Sequence, residues 1–199
     1  VVEGSGTSLM NLFAIQGLMK GWLSLEAGNM NTMMVDQAES MRDAPPYLII
    51  TLALPYLEGN KFLTRKADTM VAVMAVPNPE DLKAAFLNPP KSSEQVLHYE
   101  KYWDADQLDE PTVLELRNLS QELGDGWALE DNNVLGELGC FILTARQLPD
   151  LASAQGQIAG RWTNDAATGW DGDLFQSYLG PDGQRLLHWT SVWDTPDDA

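Results

Sequence analysis

Glu94 and His98 stand four residues apart in KSSEQVLHYEKYW. On a helix that spacing puts a carboxylate and an imidazole on one face, as paired metal ligands are presented, although two ligands do not make a site. The same two side chains could instead bond to each other or to neighbouring backbone, and spacing leaves both readings open. The other histidine, His188, lies among the apolar residues of RLLHWTSVW, where a hydrogen-bonded strand histidine is expected rather than a ligand. Asp171 and Asp173 in GWDGDLF alternate as calcium ligands do, but a lone pair without further oxygen donors predicts a turn entering a strand. Cys140 is the single cysteine, so no internal disulfide can form, and its setting in GELGCFILTA predicts a buried, inert thiol. No serine occupies a GxSxG pattern. Gly4-Ser5-Gly6-Thr7 lacks the Lys-Ser/Thr ending of a phosphate cradle, and Glu3 beside it would repel phosphate.

These groups belong to a chain that must fold around a sizeable core. It has 199 residues, 44% of them hydrophobic, with seven Trp and five Tyr, a composition that argues against disorder. Twelve bases against 29 acids give a formal charge of −17, which disfavours nucleic acid and anionic lipid as partners. Acids concentrate between Glu100 and Glu137, where the only bases are Lys101 and Arg117; such a stretch predicts a solvated face. The longest apolar run, Tyr47 to Leu57, is far short of the roughly 20 residues of a membrane-spanning helix. No leader of the signal-peptide type is evident in the sequence.

Apolar residues at Leu9, Leu12, Phe13, Met19, Trp22 and Leu23 predict a helix over Ser8–Leu23, followed by the Met-rich NMNTMMVDQAESMRD, whose thioethers are expected to fill core gaps. YLIITLALPYLEGNKFLTRKA predicts a helix kinked at Pro55, and Asn78-Pro79 predicts the start of another running to Leu87. Ser92 or Ser93 would cap a short helix in KSSEQVLHYEKYW. Alternation in Thr112–Leu116 predicts a strand, while DLFQSYLG and RLLHWTSVW, separated by Pro181-Asp182-Gly183, predict a hairpin. VLGELGCFILTARQL and LASAQGQIAGRW read as helices. The fold class expected is α+β, with a mostly helical part over 1–103 and a mixed part with a small antiparallel sheet over 104–199, packed as one unit. The chain opens abruptly at VVEG, and WDTPDDA reads as the beginning of a helix capped by Asp194 or Thr195; such ends predict a piece of a longer protein.

Several stretches in order extend these readings: VVEGSGTSLM, PPYLIITLALPYLEGNKFL, NPPKSSEQVLHYEKYW, DEPTVLEL, LGELGCFIL and AGRWTNDAATGWDGDLFQSY ahead of LLHWTSVWDTPDDA. Together they resemble the blocks of a family of uncharacterised, mostly extracytoplasmic bacterial proteins that are similar to gluzincin-type zinc metallopeptidases. The resemblance runs from Val2 to Ala199, and none of its blocks is itself a catalytic motif. It implies an HExxH helix before the region seen here and a Glu-Gly pair opening the next, which makes Glu3 the third zinc ligand. Two histidines one turn apart plus such a carboxylate leave zinc a position for water. This sequence has no HExxH, and its two histidines are ninety residues apart. The resemblance further implies that His98 or Tyr102 donates a hydrogen bond to the oxyanion formed on a peptide substrate, although Tyr99 stands where the family commonly has proline.

The expectation is therefore a metallopeptidase-like hydrolase fragment, inactive as the isolated chain, with zinc only in an intact protein. The alternative is a non-catalytic binding or structural protein of extracytoplasmic type. A metal site built within the chain from Glu3, Glu94 and His98 is a third possibility. If a partner segment normally covers Leu9, Phe13 or Trp22, the chain would expose apolar surface and form a homo-oligomer.

Overall fold

The computed structural model describes residues 1–24, 44–151 and 160–199. The Met-rich stretch and most of the helix expected over Leu151–Trp162 lie outside these residues. The first helix, α1, spans Val2–Met19, starting six residues before the expected Ser8 and ending before Trp22 and Leu23. Gly4 is the reason a helix with so many small residues holds its place. It closes on Gly59 of α2 (Pro46–Thr64), and a Cβ at Gly4 would lie 2.4 Å from the Gly59 carbonyl carbon. That backbone contact seats Ser8, whose Oγ donates to Asn60 Oδ1 at 2.7 Å, while Asn60 Nδ2 donates to the Ala72 carbonyl at 3.1 Å in α3 (Thr69–Met74). Three helices are thus joined by a buried chain of satisfied polar groups.

The contact sets an expected result. Gly4→Ala should cost about 1–3 kcal/mol of stability, because the added methyl forces two backbones apart. Gly6→Ala, with nothing within 4 Å, should be neutral or stabilise by a few tenths to about 1 kcal/mol. Urea denaturation of both variants checks this, and equal effects would contradict the close packing.

Pro55 lies within α2, which continues without interruption to Thr64 and ends at Arg65 in the left-handed region, φ 55°. Next comes α4 (Pro79–Leu87), capped as expected by Asn78, whose Oδ1 accepts from the Glu80 and Asp81 amides at 2.8 and 3.4 Å. The single helix expected in KSSEQVLHYEKYW is two: α5 (Ser93–Leu97) and α6 (Glu100–Trp103), parted at His98. A short α7 (Ser120–Leu123) precedes the sheet.

The sheet has three antiparallel strands in the order β1 (Ala128–Asn133), β2 (Trp170–Leu179), β3 (Arg185–Trp193), with α8 (Gly136–Thr144) between β1 and β2. The expected hairpin is β2–β3, in register with Gln176 opposite His188 and closed by Gly180 N–H donating to the Gln184 carbonyl at 2.8 Å. The strand expected at Thr112–Leu116 is absent. That segment runs alongside β2, with the Thr112 amide donating to Asp171 O at 2.8 Å and Gln176 Nε2 donating to the Leu116 carbonyl at 3.3 Å. The helix expected to begin at WDTPDDA is a turn instead, in which Asp198 Oδ2 accepts from the Thr195 amide at 3.1 Å.

Eight helices and one small antiparallel sheet among the described residues make the fold α+β. The larger core places Ile50 and Leu54 of α2 against Leu138, Cys140 and Phe141 of α8 and against Trp162 and Trp170. A second core gathers Phe62, Leu63 and Ala85, with Tyr99, Tyr102 and Trp103 packed on it. No helix among the described residues is long and apolar enough to cross a membrane.

Candidate functional site

His98 closes α5, and its side chain turns toward α8 rather than lying beside Glu94. Its Nε2 meets Glu137 Oε1 at 2.9 Å. Glu137 is in the first turn of α8, where the helix dipole favours a carboxylate, and it is completely enclosed. Oε1 also accepts from Thr163 Oγ1, while Oε2 is buried with no partner among the described residues. The histidine side chain itself is 26% exposed, and its Nδ1 stands 4.0 Å from Glu100 Oε1, beyond hydrogen-bond reach. The hydrogen bond to Glu137 is the main reason the imidazole titrates above its ordinary value; burial opposes it, and the charges of Glu137, Glu100 and Glu94 add to it. With Nε2 held by Glu137, Nδ1 is the nitrogen left to take up a proton and donate it outward.

A test follows from that geometry. Glu137→Gln should lower the His98 pKa, because a neutral amide replaces the charge that favours imidazolium. NMR titration of the imidazole resonances checks it, and an unchanged midpoint would show that Glu137 does not control the ring.

Glu94 belongs to a different cluster. It is buried, and its Oε1 accepts from Lys101 Nζ at 2.6 Å. The same ammonium donates to Asp109 Oδ2 at 2.7 Å and Asp194 Oδ2 at 3.0 Å. Gln95 reinforces the turn, taking the Lys91 amide on Oε1 at 2.8 Å and giving Nε2 to the Asp109 carbonyl at 2.6 Å. Burial pushes the Glu94 carboxyl up to about 7, against the pull of Lys101. Burial also works against the Lys101 charge, but hydrogen bonds to Asp109, Glu94 and Asp194 outweigh it and hold that amine above the ordinary lysine range.

Glu94, Asp109 and Asp194 form the acidic group among the described residues whose oxygens lie close enough to share an ion, and Lys101 bonds to all three. Glu3, Glu94 and His98 form no such group. Glu3 is exposed in the first turn of α1, near Tyr56 of α2. Tyr102 directs its hydroxyl proton to the Asn88 carbonyl, and its ring packs on Phe62 and Trp103 with centroids 5.0 and 4.6 Å away. The zinc implied by the family resemblance needs three protein ligands with an open position. The described residues offer Glu3 toward it, and the carboxylates that do converge hold an ammonium ion, so these residues do not fit zinc by themselves.

The remaining sequence candidates are structural. Asp173 is buried and fully occupied: Oδ1 accepts from the Gly136 amide at 2.9 Å and Trp170 Nε1 at 3.0 Å, Oδ2 from the Leu135 amide at 2.9 Å and Trp189 Nε1 at 3.0 Å. Asp171 holds Thr112, taking its hydroxyl at 2.7 Å. Both lie within β2 rather than at a turn, Asp173 with four donors on its carboxylate and Asp171 tied to Thr112. Cys140 is buried as expected, its thiol pushed up to about 12 by burial and by the nearby charges of Asp173 and Glu137. His188 lies in β3, but its Nδ1 is enclosed without a partner among the described residues, where a hydrogen-bonded ring is expected from the sequence.

Glu137, Thr163, Lys101, Asp109 and Asp194 were not singled out as site residues from the sequence. Two signals were there: Glu137 is the one charge inside the apolar GELGCFIL, and Lys101 is one of two bases in an acidic stretch. That stretch is not wholly a solvated face, since Asp109 and Glu137 serve these contacts.

Residues 127–199 match a family described as a domain of unknown function, DUF8575. The match covers 73 of the 199 residues and takes in the sheet and α8, hence Glu137 and Asp173 but neither His98 nor Glu3. No curated protein and no solved structure matches the chain.

Proposed function

We propose that the chain is part of a zinc-metallopeptidase-like protein and is inactive by itself, lending Glu3 to a metal whose histidine ligands lie outside these 199 residues. The observation that carries this reading is the His98–Glu137 pair, a partly exposed imidazole aimed by a fully enclosed carboxylate at 2.9 Å. Such a ring is pre-oriented, and its charged form offers Nδ1–H to an oxygen on which negative charge builds as a peptide bond is attacked. Glu137 fixes the ring and favours the imidazolium. Tyr102 joins this role only by releasing the Asn88 carbonyl. Bound zinc, in an intact protein, would supply the activated water.

The competing reading is a non-catalytic binding protein, favoured by the acidic composition and by the apolar residues that α1 leaves exposed. Assays on quenched fluorescent peptides separate the two. The 199-residue chain should show no hydrolysis with or without zinc. Protein expressed from the entire reading frame should hydrolyse peptides, and His98→Ala should lower kcat by about 100-fold or more with little change in KM. An encoding frame without an HExxH segment, or activity indifferent to His98→Ala, would overturn the proposal.

A further inference from the structure

Helices α1 and α2 carry three charged side chains between them, and an uncharged apolar stripe on a helix is normally buried. Here one side of each is bare. On α1 the exposed positions Val2, Gly6, Leu9, Phe13 and Gln16 follow one another at helical spacing with Met10 beside them, and on α2 Leu48, Leu52 and Tyr56 do the same. Leu9 is 70% exposed, Phe13 55% and Leu52 61%. Glu3 of α1 lies near Tyr56 of α2 at one edge of the two stripes. Glu3 is the only ionisable side chain of α1. On α2 the charges are Glu58 and Lys61, which face inward and pair at 2.9 Å.

We propose that this face is where two copies of the chain associate. Charge selects the occupant. Each copy carries −17, so two chains approaching through most of their surface meet acid against acid, whereas the α1–α2 face brings almost no charge to the contact. A two-fold axis lays each stripe on its counterpart, and an uncharged apolar strip is complementary to itself. Area is consistent with this: seven large side chains, about half to seven-tenths exposed, present on the order of 700 Å², near the roughly 800 Å² per partner of a stable interface. The inference uses neither His98 nor any metal, but Glu3 lies at the edge of this face, so it is tested on the mass of the 199-residue chain and not on zinc content or activity.

Light scattering on the size-exclusion peak tests it from about 1 to 100 µM protein. The expected mass is twice that of one chain, with the dimer fraction rising as salt screens the remaining acidic charge. Phe13→Glu combined with Leu52→Glu should give monomer with an unchanged circular dichroism spectrum; Leu187→Glu, on an exposed position of β3, should leave the dimer intact. A single-chain mass across the range, a dimer unaffected by the double substitution, or open-ended aggregation would each overturn the proposal. So would a monomer whose apolar face binds a hydrophobic dye, because that face would then belong to a different partner.

Discussion

Lys101→Met should destabilise the protein by about 3–5 kcal/mol at pH 8, because it leaves the buried Glu94 carboxylate without its counter-charge. The loss should shrink at pH 5. Glu94 already titrates near 7 with Lys101 present, and without the ammonium its carboxyl moves higher still, so acid neutralises the stranded group. The sign for the unsubstituted protein is the same. A carboxyl whose folded pKa lies above its ordinary 4.5 costs nothing below that value and opposes folding as pH rises through about 7. His98 acts in the same direction: the stabilisation gained from its bond to Glu137 is complete below pH 6.5 and is lost above its raised value. The melting temperature should therefore fall between pH 5 and pH 8, and Glu94→Gln should flatten that slope. A Lys101→Met variant equally unstable at both pH values would contradict the pairing.

Asp173→Ala carries the second large effect. The carboxylate receives two backbone amides at the entrance of α8 and two indoles, and alanine removes the acceptor of all four, of which the Gly136 amide and the Trp170 indole are buried. At about 1–3 kcal/mol for each orphaned donor, partly offset by water entering the gap, the expected loss is about 3–5 kcal/mol. Asp173→Asn keeps the volume but turns an NH₂ toward donors, so an intermediate loss is expected. Asp171→Asn, at a less enclosed position, should change stability by less than about 1 kcal/mol. Urea denaturation with near-ultraviolet circular dichroism reads both the energy and the Trp170 and Trp189 environments. Equal costs at Asp171 and Asp173 would show that the four donors are not what this region depends on.

How far the sequence shows this arrangement differs from element to element. RLLHWTSVW is legible because its β-branched and aromatic residues are bounded by a Pro-Asp-Gly turn, and the hairpin forms where that pattern places it. β1, in ALEDNN, is not legible: Glu, Asp and Asn are poor strand formers, and the segment becomes an edge strand because β2 offers it a partner from Phe175 to Leu179. Thr112–Leu116 has the alternation and lies along β2, but its backbone meets that strand at Thr112, whose amide donates to Asp171 O, and no ladder forms.

The site follows the same division. His98 stands out by residue type, but its partner Glu137 is 39 residues away, and local spacing pointed to Glu94. Glu94 in turn belongs to Lys101, which lies seven residues ahead across the break between α5 and α6. Asp173 looked like a turn or cation ligand, because nothing local shows that one indole comes from three residues on the N-terminal side and another from sixteen residues beyond. Glycine was misleading in the opposite way. The periodicity begins the helix only at Ser8, yet Gly4 lies inside it and its missing side chain serves a helix contact with Gly59.

Zinc stoichiometry tests the proposed function most directly. Elemental analysis of protein expressed from the entire reading frame should find one zinc per chain, reduced severalfold or more by Glu3→Gln, while the 199-residue chain purified alone should hold none. A full-frame protein without zinc, or one whose zinc content is unchanged by Glu3→Gln, would contradict the assignment of Glu3 and with it the metallopeptidase reading.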